Sequence, residues 1–194
     1  MRTFRRLCVY CGSSNHVAPA YKEAARTFGA FLAGQGIGIV YGGGSVGLMN
    51  ALAEGGLSKG GEVIGVIPEK LLELELAHKG LSELFVVPDM HARKMKMADL
   101  ADGLVALPGG YGTLEELFEA TTWTQLQIHD KPIGILNING YFDRLLSFVA
   151  HAVQEGFVRP AHQSLINVHT DPEALLSNMS RSRTPDLQEW IADP

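Results

Sequence analysis

Ile37-Gly38-Ile39-Val40-Tyr41-Gly42-Gly43-Gly44-Ser45-Val46-Gly47-Leu48-Met49 reads as an apolar strand that breaks on glycines and runs straight into a helix. A short, continuously apolar run fits a strand covered on both faces, the habit of parallel sheets. Six further runs share this character: Leu7 to Tyr10, Val63 to Ile67, Leu84 to Val87, Leu104 to Leu107, Ile133 to Leu136 and Leu165 to Val168. Helical periods separate them. Tyr21, Ala24, Ala25, Phe28, Phe31 and Leu32 follow the spacing of a core-facing helix. Further helices are predicted from Met90 to Ala101, from Thr113 to Ile128 and from Tyr141 to Glu155, and another starts at Pro172, whose fixed φ suits a first turn. This alternation predicts an α/β fold, a mainly parallel sheet of about seven strands with helices on both faces. The 194 residues divide into one domain over 1–180 and a peripheral tail over 181–194.

Sixteen Lys and Arg against twenty-one Asp and Glu leave a net charge of −5, so the field of the molecule opposes polyanions and no nucleic-acid partner is expected. No run approaches the ~18 apolar residues of a membrane span, and Leu7 to Tyr10 is too short for a signal-peptide core. A cytoplasmic protein without a membrane partner is expected. Cys8 and Cys11 are the two cysteines. In an extended segment they point to opposite sheet faces, so buried free thiols are expected rather than a redox pair.

Glycine is in excess, with 22 residues, and it clusters at two strand ends. The first cluster, Gly42 to Gly47, allows close backbone approach, and the helix after it presents free N–H groups to an anion. Gly42, Gly44 and Gly47 also satisfy G-x-G-x-x-G, with Glu69 about twenty residues on, as a dinucleotide site requires. The loop lacks the Gly-Lys-Ser/Thr ending of a P-loop, which argues against nucleoside-triphosphate hydrolysis. The second cluster is Pro108-Gly109-Gly110-Tyr111-Gly112-Thr113-Leu114-Glu115-Glu116. Thr113 and Glu116 have the spacing of a capping box. Two such loops at C-terminal strand ends face one crevice. Asp89-Met90-His91-Ala92-Arg93-Lys94 opens the preceding helix and brings two cations towards the same region. Phosphate-holding glycines, cations and a carboxylate together fit an anionic ligand that carries a sugar.

These three segments, Gly42-Gly43-Gly44-x-x-Gly47-Leu48-Met49, Met90-His91-x-Arg93-Lys94 and Pro108-Gly109-Gly110-x-Gly112-Thr113-x-x-Glu116, resemble the LOG family of cytokinin riboside 5′-monophosphate phosphoribohydrolases, long mislabelled as lysine decarboxylases. The resemblance implies a Rossmann-like fold, a homodimer and hydrolysis of the N-glycosidic bond of adenosine 5′-monophosphate or an N6-modified relative, giving free base and ribose 5-phosphate. It places the functional arginine on Arg93 and the functional glutamate on Glu116. Substrate contacts fall on Gly43, Gly44, Glu75, Arg93, Lys94, Thr122 and the loop Gly110, Tyr111, Gly112, Thr113, Leu114, Glu115 and Glu116. Asn50 departs from the glycine that often follows Gly-Leu-Met in the family.

The residue types fit that chemistry. Breaking a ribosyl C–N bond passes through an oxocarbenium-like state that a carboxylate stabilises while activating water, and Glu116 is the candidate. Arg93 is placed to hold ribose or phosphate, or to order Glu116. Tyr111 is placed to stack on a ligand or to lie over the loop. No cofactor and no metal are expected, because the seven histidines are scattered without ligand spacing. A nucleotide-binding or carrier module without hydrolysis is the alternative. A dinucleotide oxidoreductase fits less well, since its fingerprint belongs to the first βα turn. Lysine decarboxylation fits least, for want of a lysine in a pyridoxal-phosphate context.

Overall fold

The computed structural model describes residues 1–72 and 77–183. In chain order the elements are β1 (Arg6–Tyr10), α1 (Pro19–Gly34), β2 (Gly38–Tyr41), α2 (Gly47–Ser58), β3 (Val63–Pro68), α3 (Glu69–Leu72), β4 (Glu83–Val87), α4 (Met90–Asp99), β5 (Gly103–Ala106), α5 (Tyr111–Gln125), β6 (Ile133–Leu136), α6 (Asp143–Gln154), α7 (Pro160–Gln163), β7 (Ile166–His169) and α8 (Pro172–Arg181). The seven predicted strands lie within one residue of these bounds at each end. The short helices α3 and α7 and the tight turn at Ile138–Gly140 carry too little periodicity to be read in advance. The predicted tail falls largely on 184–194, outside the described residues.

The strands form one sheet in the order β4-β3-β2-β1-β5-β6-β7, and each neighbouring pair runs parallel. The chain winds outward from β1 to β4, then returns to place β5 on the other side of β1. The order therefore reverses between β1 and β5, where Tyr10 stands opposite Ala106. In open α/β sheets the crevice outside the strand ends at such a reversal is where ligands bind.

Alternation along β1 divides the core into two. Leu7, Val9 and Cys11 pack with Phe28, Leu32, Leu52 and Leu175, under α1, α2 and α8. Cys8 and Tyr10 pack with Met97, Leu117, Ala120 and Phe142, under α4, α5 and the start of α6. The two cysteines are thus free, buried and on opposite faces, and burial pushes both thiols upward in pKa, away from the reactive thiolate. Complete burial of a side chain such as Leu7, Leu32 or Leu52 contributes about 2 kcal/mol each. Two helices, α4 at the crevice and α8 over the β6–β7 edge, have sharp starts. Asp89 caps α4 by accepting from Ala92 N–H at 2.8 Å, and Asp171 caps α8 through Ala174 N–H at 2.8 Å, with Pro172 behind it.

Candidate active site

At the reversal point the segments leaving β1 and β5 are laced together. Leu107 N–H donates to the Tyr10 carbonyl at 2.9 Å and Gly12 N–H to the Pro108 carbonyl at 3.0 Å. Beyond this pair opens a cavity of about 280 Å³, near the lower end of the ~300–1,000 Å³ range of small-molecule sites. Gly12 and Ser13 form one side and Gly110 to Thr113 another. Met49, Leu71 and Met90 make an apolar wall, Cys11 lies beneath, and Arg93 and Glu116 complete the lining.

The second glycine loop ends in an extended Gly110, which serves as the N-cap of α5. The helix begins at Tyr111, two residues before the expected start, so Thr113 lies inside the first turn and makes no side-chain cap. The expected capping box is absent: Glu116 turns to Arg93, not back to its own helix end. Position 110 hides the helix start because glycine needs no side chain to serve as a cap. Leu114 N–H returns to the Gly110 carbonyl at 3.1 Å. The N–H groups of Tyr111, Gly112 and Thr113, by contrast, have no acceptor among the described residues and point with the positive end of the helix dipole at the cavity.

The first glycine loop behaves differently from the expectation of free donors. At the start of α2, Leu48 and Met49 N–H both donate to the Gly12 carbonyl, at 2.9 and 3.3 Å, and Gly47 N–H donates to Asn15 Oδ1 at 2.9 Å. The acceptors come from the segment after β1, which plugs this helix end. Gly47 is held at φ +62° with its Cα facing the Ser13–Ser14 backbone, where a Cβ would lie 2.6 Å from the Ser13 carbonyl carbon. The Gly43 carbonyl accepts from His78 N–H, and Gly44 forms a bridge with Ala77. Neither Gly43 nor Gly44 lines the cavity.

Arg93 and Glu116 are the buried charged pair. Arg93, 8 % exposed, rises from the first turns of α4 and donates through Nε to the Val66 carbonyl at 3.2 Å and through Nη1 to Glu116 Oε1 at 2.9 Å. Glu116, 6 % exposed, stands on the second turn of α5. Burial pushes its carboxyl up to about 7, against the downward pull of Arg93. Glu115 and Lys94 also act on it, and Tyr10, Cys8 and Cys11 of the β1 segment feel its charge. A carboxyl that changes protonation near neutrality suits general acid–base work.

Lys94 points elsewhere. Consecutive helical residues are ~100° apart, and Lys94 Nζ binds Glu115 Oε1 at 2.5 Å and Glu119 Oε1 at 2.9 Å. Burial pulls its ammonium down, yet the two carboxylates outweigh that and hold it above its ordinary value. Residues 93 and 94 of α4 are thereby tied to 116 and 115 of α5. Lys94, Leu114, Glu115 and Thr122 do not line the cavity; Thr122 is exposed, its hydroxyl on the Phe118 carbonyl at 2.8 Å. Tyr111 lines the mouth with its ring 93 % exposed. Glu75 lies outside the described residues. The structure adds Cys11, Gly12, Ser13, Met49, Leu71 and Met90, of which Cys11-Gly12-Ser13 were signalled only by following the first strand.

A helix start with open N–H groups and a buried Arg–Glu pair at the reversal point of a parallel sheet define a Rossmann-like α/β protein with a crevice suited to an anion. The model of the family described as "Possible lysine decarboxylase" matches residues 49–179, and the chain belongs to that family, the LOG family. A cytokinin riboside 5′-monophosphate phosphoribohydrolase of Arabidopsis thaliana, LOG1, is 50 % identical over 163 residues, 84 % of this chain and 76 % of the relative. Two probable enzymes of the same name from Oryza sativa subsp. japonica are similar: LOGL5 is 51 % identical over 191 residues, 98 % of this chain and 74 % of the relative, and LOGL2 is 48 % identical over 176 residues, 91 % and 72 %. Among solved structures, the molybdenum cofactor binding protein of Rippkaea orientalis shares the fold with a TM-score of 0.68 at 22 % identity, covering 99 % of both chains. The molybdenum cofactor carrier protein of Chlamydomonas reinhardtii shares it with a TM-score of 0.67 at 21 % identity, covering 97 % of this chain and 98 % of the other.

Proposed function

We propose that this protein is a phosphoribohydrolase that cleaves the N-glycosidic bond of cytokinin riboside 5′-monophosphates, with adenosine 5′-monophosphate as the plain-base substrate, to free base and ribose 5-phosphate. The observation that carries the reading is the buried Arg93–Glu116 pair beside the open N–H groups of α5. Relatives near 50 % identity named for this reaction support it. The N–H groups of Tyr111, Gly112 and Thr113 hold the 5′-phosphate and orient the ribose above Glu116. Glu116 as carboxylate stabilises the oxocarbenium-like ribosyl cation and takes a proton from the attacking water, whose oxygen bonds to the ribosyl carbon; the C–N bond electrons leave with the base, which takes up that proton and restores the carboxylate. Arg93 fixes the carboxylate and keeps part of it ionised. No lysine among the described residues lines the cavity to carry an imine, which speaks for hydrolysis over decarboxylation.

The expected homodimer fits the surface of α5, where Phe118, Thr122 and Leu126 stand exposed at four-residue spacing, a stripe that a second copy would cover. No helix among the described residues is long and apolar enough to cross a membrane, in line with a cytoplasmic enzyme. The test is Glu116→Gln. Adenine release from AMP, and base release from N6-isopentenyl-AMP, fall below detection with the circular dichroism spectrum unchanged. Parent turnover in that variant overturns the reading, and tight AMP binding without hydrolysis by the parent favours a carrier.

A further inference from the structure

We infer that Gly42 is a positioning residue for Arg93: the space where its side chain would be is the seat of the guanidinium, and only glycine there lets Arg93 reach Glu116. The inference rests on the proposed roles of Arg93 and Glu116. Gly42 sits in the first glycine loop, where Gly43 at φ +78° and Gly47 at φ +62° answer to backbone needs. Gly42 is not among the residues of positive φ, so its backbone conformation is open to any L residue. What a side chain would strike is the guanidinium. A Cβ at 42 would lie 2.1 Å from Arg93 Nη2 and 3.3 Å from its Cζ; Met49 Cε, at 3.2 Å, has only to give by a few tenths of an ångström.

The guanidinium is pinned on its other edges, by the Val66 carbonyl at Nε and by Glu116 and Met90 Sδ at Nη1. Nη2 donates to no protein acceptor among the described residues and lies over the Gly42 Cα. A methyl group at 42 therefore displaces the tip of a flexible side chain and leaves the backbone where it is. To regain an ordinary contact the tip must move by about 1 Å, enough to open the bond to Glu116 and, by the usual sensitivity of site geometry, to cost about 100-fold in rate. Gly42 thus serves the same carboxylate that the second loop carries, from a strand on the far side of β1.

The experiment is Gly42→Ala, with turnover of AMP followed across pH by chromatographic adenine release and the fold followed by circular dichroism and thermal melting. Expected are a folded protein whose melting temperature falls by several degrees, turnover about 100-fold lower, and an acid limb moved to higher pH, because Glu116 loses the cation that draws its carboxyl down. Parent turnover, or reduced turnover with the acid limb unmoved, overturns the inference. Should Gly42→Ala fail to fold, the double variant Gly42→Ala, Arg93→Ala decides: restored folding supports a clash with Arg93, and continued misfolding refutes it. Arg93→Ala with parent turnover would instead overturn the proposed role of Arg93 and leave the steric relation at Gly42 standing.

Discussion

Glu116 makes the stability of this protein depend on pH in a direction opposite to that of an ordinary paired carboxylate. Its folded-state value of about 7 lies above the ordinary 4.5, so between these values the folded chain binds more protons than the unfolded one. Stability is then highest where Glu116 is protonated in both states and falls as pH rises through 7. The gap corresponds to about 3 kcal/mol, fully lost by about pH 8. Glu116→Gln keeps the volume and the burial but cannot ionise, so it escapes this loss. The assay is urea unfolding of parent and variant at equal protein concentration, at about pH 4 and about pH 8, which cancels every other titrating group common to both. The variant should gain on the parent by about 3 kcal/mol between the two conditions. A parent–variant difference that does not change with pH would refute the reasoning, because Glu116 would then titrate alike in the folded and unfolded chain, with Arg93 cancelling the effect of burial.

Lys94→Met leaves Glu115 and Glu119, which are 54 % and 26 % exposed, free to hydrate, so the loss in urea unfolding should be about 1–2 kcal/mol rather than the 3–5 of a pair broken in a dry core. In the same variant kcat for AMP should fall while KM changes less than about 3-fold, with Lys94→Arg restoring part of the rate; a large rise in KM at constant kcat would make Lys94 a substrate contact. Gly47→Ala meets both a positive φ and the Ser13 backbone, and should cost at least about 2 kcal/mol in thermal or chemical unfolding. A cost below about 0.5 kcal/mol would show that the plug between the β1 segment and α2 gives way easily.

Strand positions were legible because a strand buried on both faces has to be apolar throughout, and glycine, proline or a charge marks its ends. The pairing of a glycine loop with a helix start was legible for the same reason at Pro108 to Glu116. The first loop was misread as an open cradle because the groups that occupy its donors, the Gly12 carbonyl and Asn15, lie about thirty residues upstream, and one sequence says nothing of who fills a helix end. The Arg93–Lys94 doublet was read as two cations for one site. The ~100° between neighbours on a helix already forbids that, and the carboxylates Glu115 and Glu119, one turn apart, were the sign of where Lys94 goes. Met49, Leu71 and Met90 were invisible as a wall because apolar residues at helix starts look like core until the sheet order sets three loops side by side.

The sheet order also bears on how a nascent chain acquires the site. β1 is made first, but its neighbour β5 follows only after β2, β3 and β4. Until then one edge of β1 exposes unpaired N–H and C=O groups, the kind of edge that recruits other chains. Arg93 is by then already synthesised, with no Glu116 to meet. Insertion of β5 closes that edge through Cys8, Val9 and Tyr10 and delivers Glu116 on the helix behind it. Protection against misassociation and assembly of the buried Arg93–Glu116 pair are one step in folding, so a chain arrested before Gly103 is sticky and lacks that pair.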